Sequence, residues 1–316
     1  MGYFIRRLLL TLPTLLGVIT FAFLLIRVAP GDPAQLMLGD LAAINPEEIV
    51  QDFREKFGLD RPLHEQYLKY VLSVLRGDLG RSFRNGRLVF SEILSMLPYT
   101  IHLALGGVIL AVVIGVPAGT FIAFHRNRLS DYLVSSLSVL WLSVPSFWLG
   151  LLLIYFFSYR LGWFPVFGAG ESGSWASLIR SLVLPALAVG ARSAALVARM
   201  TRSSVLDVLS QDYVRTAWAK GLPARIVVSK HVLRNAGMNI VTVVGLDLAY
   251  LLGGAVVVET VFARPGLGKL VVDAIYARDY PTVQGAVIFF ALVILAVNLI
   301  VDLVYALMNP RIRYSE

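Results

Sequence analysis

Residues 98–124 read PYTIHLALGGVILAVVIGVPAGTFIAF, and HRNRLSD follows at 125–131. The first stretch contains no Asp, Glu, Lys or Arg. A helix rises about 1.5 Å per residue, so a run of about 20 apolar residues crosses the ~30 Å hydrocarbon core of a bilayer. Arg126 and Arg128, directly after it, belong on the cytoplasmic side, where Lys and Arg collect. In lipid the backbone must satisfy its own hydrogen bonds, and a run of this length does so as a helix.

Working outward, five more stretches qualify as spans: 8–28, 132–158, 181–200, 236–258 and 284–308. The 181–200 stretch is the weakest, because Arg192 interrupts it. Pro117 and Pro145 sit inside two spans and are expected to kink them. Arg6 and Arg7 precede the first run, Leu8 to Ile26, and no small-x-small cleavage site follows. That run therefore reads as a retained first span and not as a cleaved signal. The predicted fold class is all-α, a polytopic membrane helix bundle of about six transmembrane helices.

Composition agrees. Of 316 residues, 57% are hydrophobic and only 15% charged, too few polar groups to cover a soluble domain. The net charge of +8 fits cytoplasmic Lys and Arg; no basic, aromatic-studded soluble domain is present to bind nucleic acid. There is no Cys, and the four His show no ligand spacing, so no metal site and no thiol chemistry is expected.

The basic residues set the expected orientation. Arg126 and Arg128, then Arg202, Arg215, Lys220, Arg225, Lys230 and Arg234, then Arg311 and Arg313 fall on one side, with the N-terminus. The opposite short loops are balanced, which places both termini in the cytoplasm. The organisation is then a cytoplasmic N-terminus and first span at 1–29, and an extracytoplasmic helical segment at 30–97. A membrane core at 98–308 contains a cytoplasmic loop at 201–235, and a cytoplasmic tail covers 309–316. Within 30–97, Asn45 and Pro46 start a helix whose face is Ile49, Val50, Phe53 and Phe57, ended by Gly58. A second amphipathic helix is predicted from about Pro62 to Leu75, closed by Gly77-Asp78-Leu79-Gly80.

The 201–235 loop carries the functional signal. It contains Ser210-Gln211-Asp212-Tyr213-Val214-Arg215-Thr216-Ala217-Trp218-Ala219-Lys220-Gly221-Leu222-Pro223. Ser210 or Asp212 is expected to cap a short helix, Lys220 to complement its last turn, and Gly221 to end it in the left-handed position. Pro223 opens a second helix toward Asn235. Ala217 and Ala219 predict a low-relief surface that another protein's backbone can approach. A rigid knob of this kind between two spans suits a mechanical joint to a cytoplasmic partner.

That stretch resembles the coupling-loop motif of ABC importer permeases. The general motif has Glu-Ala-Ala before the Gly, where this chain has Arg215, Thr216 and Ala217, and it closes with Ile-x-Leu-Pro, where this chain has His231-Val232-Leu233-Arg234. These departures are similar to the dipeptide/oligopeptide/nickel branch of the family. So are Pro30-Gly31-Asp32-Pro33, Gly77-Asp78-Leu79-Gly80-Arg81-Ser82, Glu259-Thr260-Val261-Phe262, Pro265-Gly266-Leu267-Gly268 and Asn309-Pro310-Arg311. The resemblance implies a type I ABC importer permease fold in a bacterial plasma membrane. It implies four kinds of partner: a homologous second permease, cytoplasmic ABC ATPase subunits, an extracytoplasmic substrate-binding protein and the lipid bilayer. ATPase coupling would run through Asp212, Tyr213, Val214, Arg215, Thr216, Ala217, Ala219, Lys220 and Gly221. The cargo implied is a dipeptide or oligopeptide, with glutathione or nickel as alternatives for the same machinery.

No catalytic residue is expected in this chain. Gly266-Leu267-Gly268-Lys269 imitates the end of a P-loop, but Ala263 and Leu270 stand where Gly and Ser or Thr are required. ATP and Mg would be bound by the ATPase subunits. A stand-alone secondary transporter would show internal inverted repeats, and none is evident. A membrane-anchored scaffold would not need so elaborate a loop.

Intramembrane polar residues complete the reading. His102 and Asn298 are expected to make interhelical hydrogen bonds, and Asp302 to pair with a basic loop residue. Around the Pro265–Pro281 segment a turn on Gly266 and Gly268 is expected, then a helix with Leu267, Leu270, Val271 and Ile275 on its apolar face. Arg192 and Asp247 lie at matching depth, ~15 Å from the cytoplasmic boundary at 1.5 Å per residue. Two readings stay open: an ion pair holding two spans together, or a pair on the translocation path that meets a zwitterionic substrate.

Overall fold

In the computed structural model the described residues are 2–28, 50–51, 54–55, 60–171 and 173–308, and they form helices joined by short turns. We number them α1 Gly2–Val28, α2 Leu63–Leu75, α3 Val89–Phe124, α4 Leu129–Ser143, α5 Ser146–Leu153 and α6 Trp175–Leu209. Then come α7 Asp212–Ala219, α8 Ala224–Ile226, α9 Arg234–Val261, α10 Leu267–Tyr276 and α11 Tyr280–Met308. A π-helical stretch, Ile154–Arg160, continues α5, and another, Val227–Leu233, joins α8 to α9. Of the helix expected from Asn45 to Gly58, Val50, Gln51, Arg54 and Glu55 are described and helical, with Val50 of its apolar face buried. The rest of that helix, the Pro30–Pro33 and Asn309–Arg311 motifs, and the side chains of Arg6, Arg7 and Asp302 lie outside the described residues.

Among the described residues, four helical stretches are long and apolar enough to cross a membrane: Val89–Phe124, Trp175–Leu209, Ala224–Gly253 and Tyr280–Val301. The pair Leu129–Ser143 and Ser146–Arg160 makes a fifth if counted as one broken span, and α1 carries a shorter apolar stretch, Thr11–Leu25. The chain is thus an all-α polytopic bundle. Of the two prolines expected to bend spans, only Pro145 breaks its helix. Val144 before it is extended, with ψ 123°, as a residue preceding proline must be, and the two halves meet at 98°. α3 instead runs unbroken through Pro117. Gly115 and Gly119 flank that proline and let α3 lie directly on α6, so packing holds the helix across the missing N–H.

The chain forms two compact units, Met1–Pro98 with Gly266–Leu295, and Tyr99–Pro265 with Ala296–Glu316. In the first, Ile19 and Ala22 of α1 and Ile288 of α11 are buried against Tyr70, Val71 and Val74 of α2. The edge of the Phe23 ring meets Tyr67, centroids 5.2 Å apart. The buried Asp279 carboxylate starts α11. It accepts hydrogen bonds from Ser82 Oγ at 2.6 Å, Phe83 N at 3.0 Å and Thr282 Oγ1 at 2.7 Å. α10 buries Leu267 and Ala274. Ile275 is 57% exposed, so the apolar face is Leu267, Leu270, Val271 and Ala274 in place of the expected set. Nor does the turn rest on Gly266 and Gly268: the left-handed residue before α10 is Ala263, φ +42°, and the one after it is Arg278, φ +54°.

In the second unit α6 is the central helix. Its most apolar window is 67% buried, against 28–33% for the other three continuous spans. Arg192, which makes it read as the weakest span, is thus carried by a helix that mostly sees protein, where small residues matter more than apolar ones. A Cβ on Gly107 would lie 2.8 Å from Val189 Cγ2, and one on Gly115 would lie 2.7 Å from the Ala194 carbonyl oxygen. At one end of this unit Thr100 Oγ1 donates to Glu259 Oε1 at 2.6 Å, and Arg264 N donates to the Glu259 carbonyl at 2.8 Å. Arg264 is fully buried, with Nη1 3.4 Å from Ser181 Oγ. Burial pushes its guanidinium below the ordinary value, and the Glu259 carboxylate offsets part of that. His102 Nδ1 is buried without a hydrogen-bond partner, so the bond expected of it is not made at that atom.

Candidate functional site

The 201–235 loop folds as the sequence suggests in outline and differs in its caps. α6 ends at Leu209, where Ser210 Oγ donates back to the Asp207 carbonyl at 2.7 Å. Ser210 therefore closes α6 and does not open α7. The N-cap of α7 is Gln211, with no side-chain cap bond, and Asp212 is the first helical residue. Asp212 still favours the helix start electrostatically. Its 3.5 Å contact with Arg215 is exposed on both sides, which makes it worth little.

One face of α7 is locked inward. Val214 and Ala217 are buried among Ala123, Val205, Val227, Val232, Ala236 and Ile240, so the helix is packed onto the ends of α3 and α6 and the start of α9. Ala217 is small because it faces this core, which corrects its expected place on the outer surface. The outer surface comprises Asp212, Tyr213, Arg215, Thr216, Trp218, Ala219, Lys220 and Gly221. Tyr213 and Trp218 are 44% and 42% exposed, giving an aromatic pair rather than a bare low-relief face. Gly221 has φ +73°, and its N–H donates to the Trp218 carbonyl at 2.9 Å. This is the left-handed stop expected of it. Pro223 then caps α8, which leads through the π-helical stretch into α9, so the second helix of the loop is the beginning of the next span.

One polar contact at this end was not legible in the sequence. Arg202 of α6 grips Asp131 of α4 with two bonds, Nε to Oδ1 at 2.7 Å and Nη2 to Oδ2 at 2.8 Å. Asn127 N–H and Ser135 Oγ also donate to the Asp131 carboxylate. Sequence reading counted Arg202 only as a topogenic charge, and nothing local signals its partner.

Arg192 and Asp247 fall in the middle of α6 and α9. The Arg192 guanidinium lies over the Tyr250 ring, 4.5 Å from its centroid. Asp247 is 4% exposed, with Ser193 and Arg192 as the polar groups acting on its carboxyl. Among the described residues the two charges form no ion pair within 4.0 Å. Tyr250 was the unread member of this group.

Family models match most of the chain. Residues 115–314 match the binding-protein-dependent transport system inner membrane component, and residues 1–104 match the corresponding N-terminal membrane component. The chain is 45% identical over 315 residues to the glutathione transport system permease protein of Escherichia coli strain K12, covering 100% of both. It is 42% identical over 337 residues to the di/tripeptide transport system permease protein of Pseudomonas aeruginosa strain UCBPP-PA14, again covering 100% of both. Among solved structures it is similar to the MetNI methionine ABC transporter in an inward-facing conformation. There the TM-score is 0.59 at 18% identity, covering 69% of this chain and 96% of the other, a likeness of fold.

Proposed function

Because the chain belongs to the family of binding-protein-dependent transport system inner membrane components, we propose that it forms half of a peptide path through the bacterial inner membrane. In this reading it is a transport subunit with dipeptides or oligopeptides as cargo. Its partners are a homologous second permease, ATPase subunits that bind ATP and Mg, and a binding protein that delivers cargo from outside. Both termini face the cytoplasm, on the side of α7, as the basic loops require. The observation that carries the peptide reading is identity along the whole length with both a glutathione and a di/tripeptide permease. Glutathione is itself a tripeptide, so the two names share one chemistry.

The ATPase contact is the outer face of α7, with Tyr213, Trp218, Ala219 and Lys220 outward and Val214 and Ala217 as its anchor. A helix anchored on three others moves as one body with them, which suits transmission of a push. Arg192 borders the path with Asp247 buried beneath it, since a charge at mid-span costs about 2.5–3.5 kcal/mol against lipid on insertion scales and neither group should face lipid. The test is purification of the chain with its neighbouring subunits, followed by uptake in proteoliposomes. ATP-dependent uptake of a peptide supports the reading. Uptake driven by an ion gradient without any ATPase subunit would replace it with a secondary transporter.

The coupling role makes a separate prediction. No atom lies within 4 Å of a Cβ built on Gly221, so substitution there strains the backbone alone. Gly221→Val should cost about 1 kcal/mol or more in the left-handed position and shift α7. Insertion and assembly are expected to persist, with peptide-stimulated ATP hydrolysis lost. Gly221→Asn, which tolerates that conformation, should retain most of it. Wild-type stimulation in the valine variant would remove Gly221 from the coupling path.

A further inference from the structure

We propose that Arg192, laid on the Tyr250 ring, is a seat for the carboxylate of the transported peptide. The proposal rests on the peptide-importer reading above and deepens it. Arg192 is partly open, and among the described residues its side chain makes no hydrogen bond. Tyr250 is 54% exposed and shares its face of α9 with Leu246, 55% exposed. The guanidinium carbon lies over the ring, 4.5 Å from its centroid, a cation–π contact that uses none of its N–H donors. Those donors keep the fork geometry that takes a carboxylate bidentately. At this depth lipid offers no acceptor, so those donors must face water or an incoming anion.

The floor of the patch supplies the second observation. Ser193 is fully buried beside the nearly buried Asp247 carboxyl, and neither Ser193 Oγ nor Asp247 Oδ2 completes a hydrogen bond of normal geometry. A buried carboxylate oxygen left unsatisfied beside a free cation has a physical use. Asp247 acts on Arg192 as a counter-charge without occupying its N–H edge. It therefore weakens the hold on a bound carboxylate, as a transport site requires if cargo is to leave again. Arg192 selects, Tyr250 positions the guanidinium, and Asp247 sets how long the cargo stays.

The experiment uses the complete importer in proteoliposomes, with binding protein saturated by trialanine or by its C-terminal amide. Uptake is read per ATP hydrolysed, so differences in delivery cancel. The wild-type complex should favour the acid over the amide by about tenfold, as sites built to pair a polar group reject the analogue lacking it. Arg192→Gln should bring the ratio near one, and Arg192→Lys should leave it between the two. Tyr250→Leu keeps the charge and removes the platform, and is expected to cut the ratio by about threefold. Asp247→Asn should lower the KM for the acid while slowing maximal uptake. Equal loss of both peptides in Arg192→Gln would mean that Arg192 holds the partner permease, and would overturn the proposal. So would a wild-type ratio near one, or an unchanged ratio in both the Arg192→Gln and Tyr250→Leu complexes. Absence of any ATP-dependent peptide uptake by the wild type would instead strike the importer reading itself, and the seat with it.

Discussion

Replacing Gly119 by valine is expected to destabilise the folded chain by about 3 kcal/mol and to sharply reduce the amount of intact complex recovered in detergent. A Cβ at this position would run into the Ala198 carbonyl oxygen and lie 2.7 Å from Thr201 Cβ. The obstacle is mostly backbone of α6, and Thr201 is itself fully buried, so neither can swing aside. Gly115 meets the Ala194 carbonyl in the same way, one turn earlier. Together they form a small-residue seam in which two helices touch backbone to backbone. Gly237 of α9 is the internal control: nothing lies within 4 Å of its Cβ. Gly237→Ala should gain about 0.5–1 kcal/mol from helix propensity and chain entropy. Thermal unfolding of the purified complex distinguishes the two. A Gly119→Val midpoint equal to that of the Gly237→Ala complex would mean that α3 and α6 do not touch there.

That seam marks where sequence reading stops. Spans were legible because lipid imposes a length: 236–258 was expected and α9 is Arg234–Val261, while 284–308 was expected and α11 is Tyr280–Met308. α3 begins at Val89 and not at 98, because its first turns answer to protein. Val89 and Ile93 are buried there with Leu267 and Ala286, contacts that no hydropathy window registers. α6 reads as the weakest span because Arg192 interrupts it, yet its small residues pack it more deeply into protein than any other continuous span among the described residues.

The loop site was read well where a residue has only one conformational use and poorly where faces had to be chosen. Gly221 declared itself, since glycine takes a left-handed stop at the least cost, whereas Ala263 and Arg278, which hold the same conformation after α9 and α10, carry no such mark. Ser210 could serve either the end of α6 or the start of α7, and only the structure shows that it bonds backward to Asp207. Ala217 and Ile275 were placed on the wrong faces, because spacing along a short helix fixes which residues share a side and not which side is covered. Tyr250 was invisible as the platform for Arg192: the two sit on helices far apart in the chain, and an aromatic in an apolar run carries no mark of its partner.

Removing either member of the Asp131–Arg202 pair should destabilise the chain by about 3 kcal/mol, whereas removing both should cost much less. The Asp131 side chain is 5% exposed and that of Arg202 29%, so each single change strands a largely buried charge. Arg202→Met leaves a carboxylate with only the Asn127 amide and the Ser135 hydroxyl; Asp131→Leu leaves a guanidinium without an acceptor. In the Asp131→Leu/Arg202→Met chain no charge is stranded, and the main remaining loss is the Asn127 bond, about 1 kcal/mol. A cycle of the four proteins, followed by thermal unfolding, measures the coupling. Costs that add to within about 0.5 kcal/mol would show the two side chains to be energetically independent. The pair also has a mechanical consequence. Arg202 lies about two turns before α6 gives way to α7, and Asp131 is in the first turn of α4, whose other end is the break at Pro145. A displacement of α7 carries the end of α6 with it through the shared core, and the bidentate grip passes that motion to the free end of α4. The double variant should therefore keep its fold but transport less peptide per ATP than the wild type, while Arg202→Lys, with one bond instead of two, should fall between them.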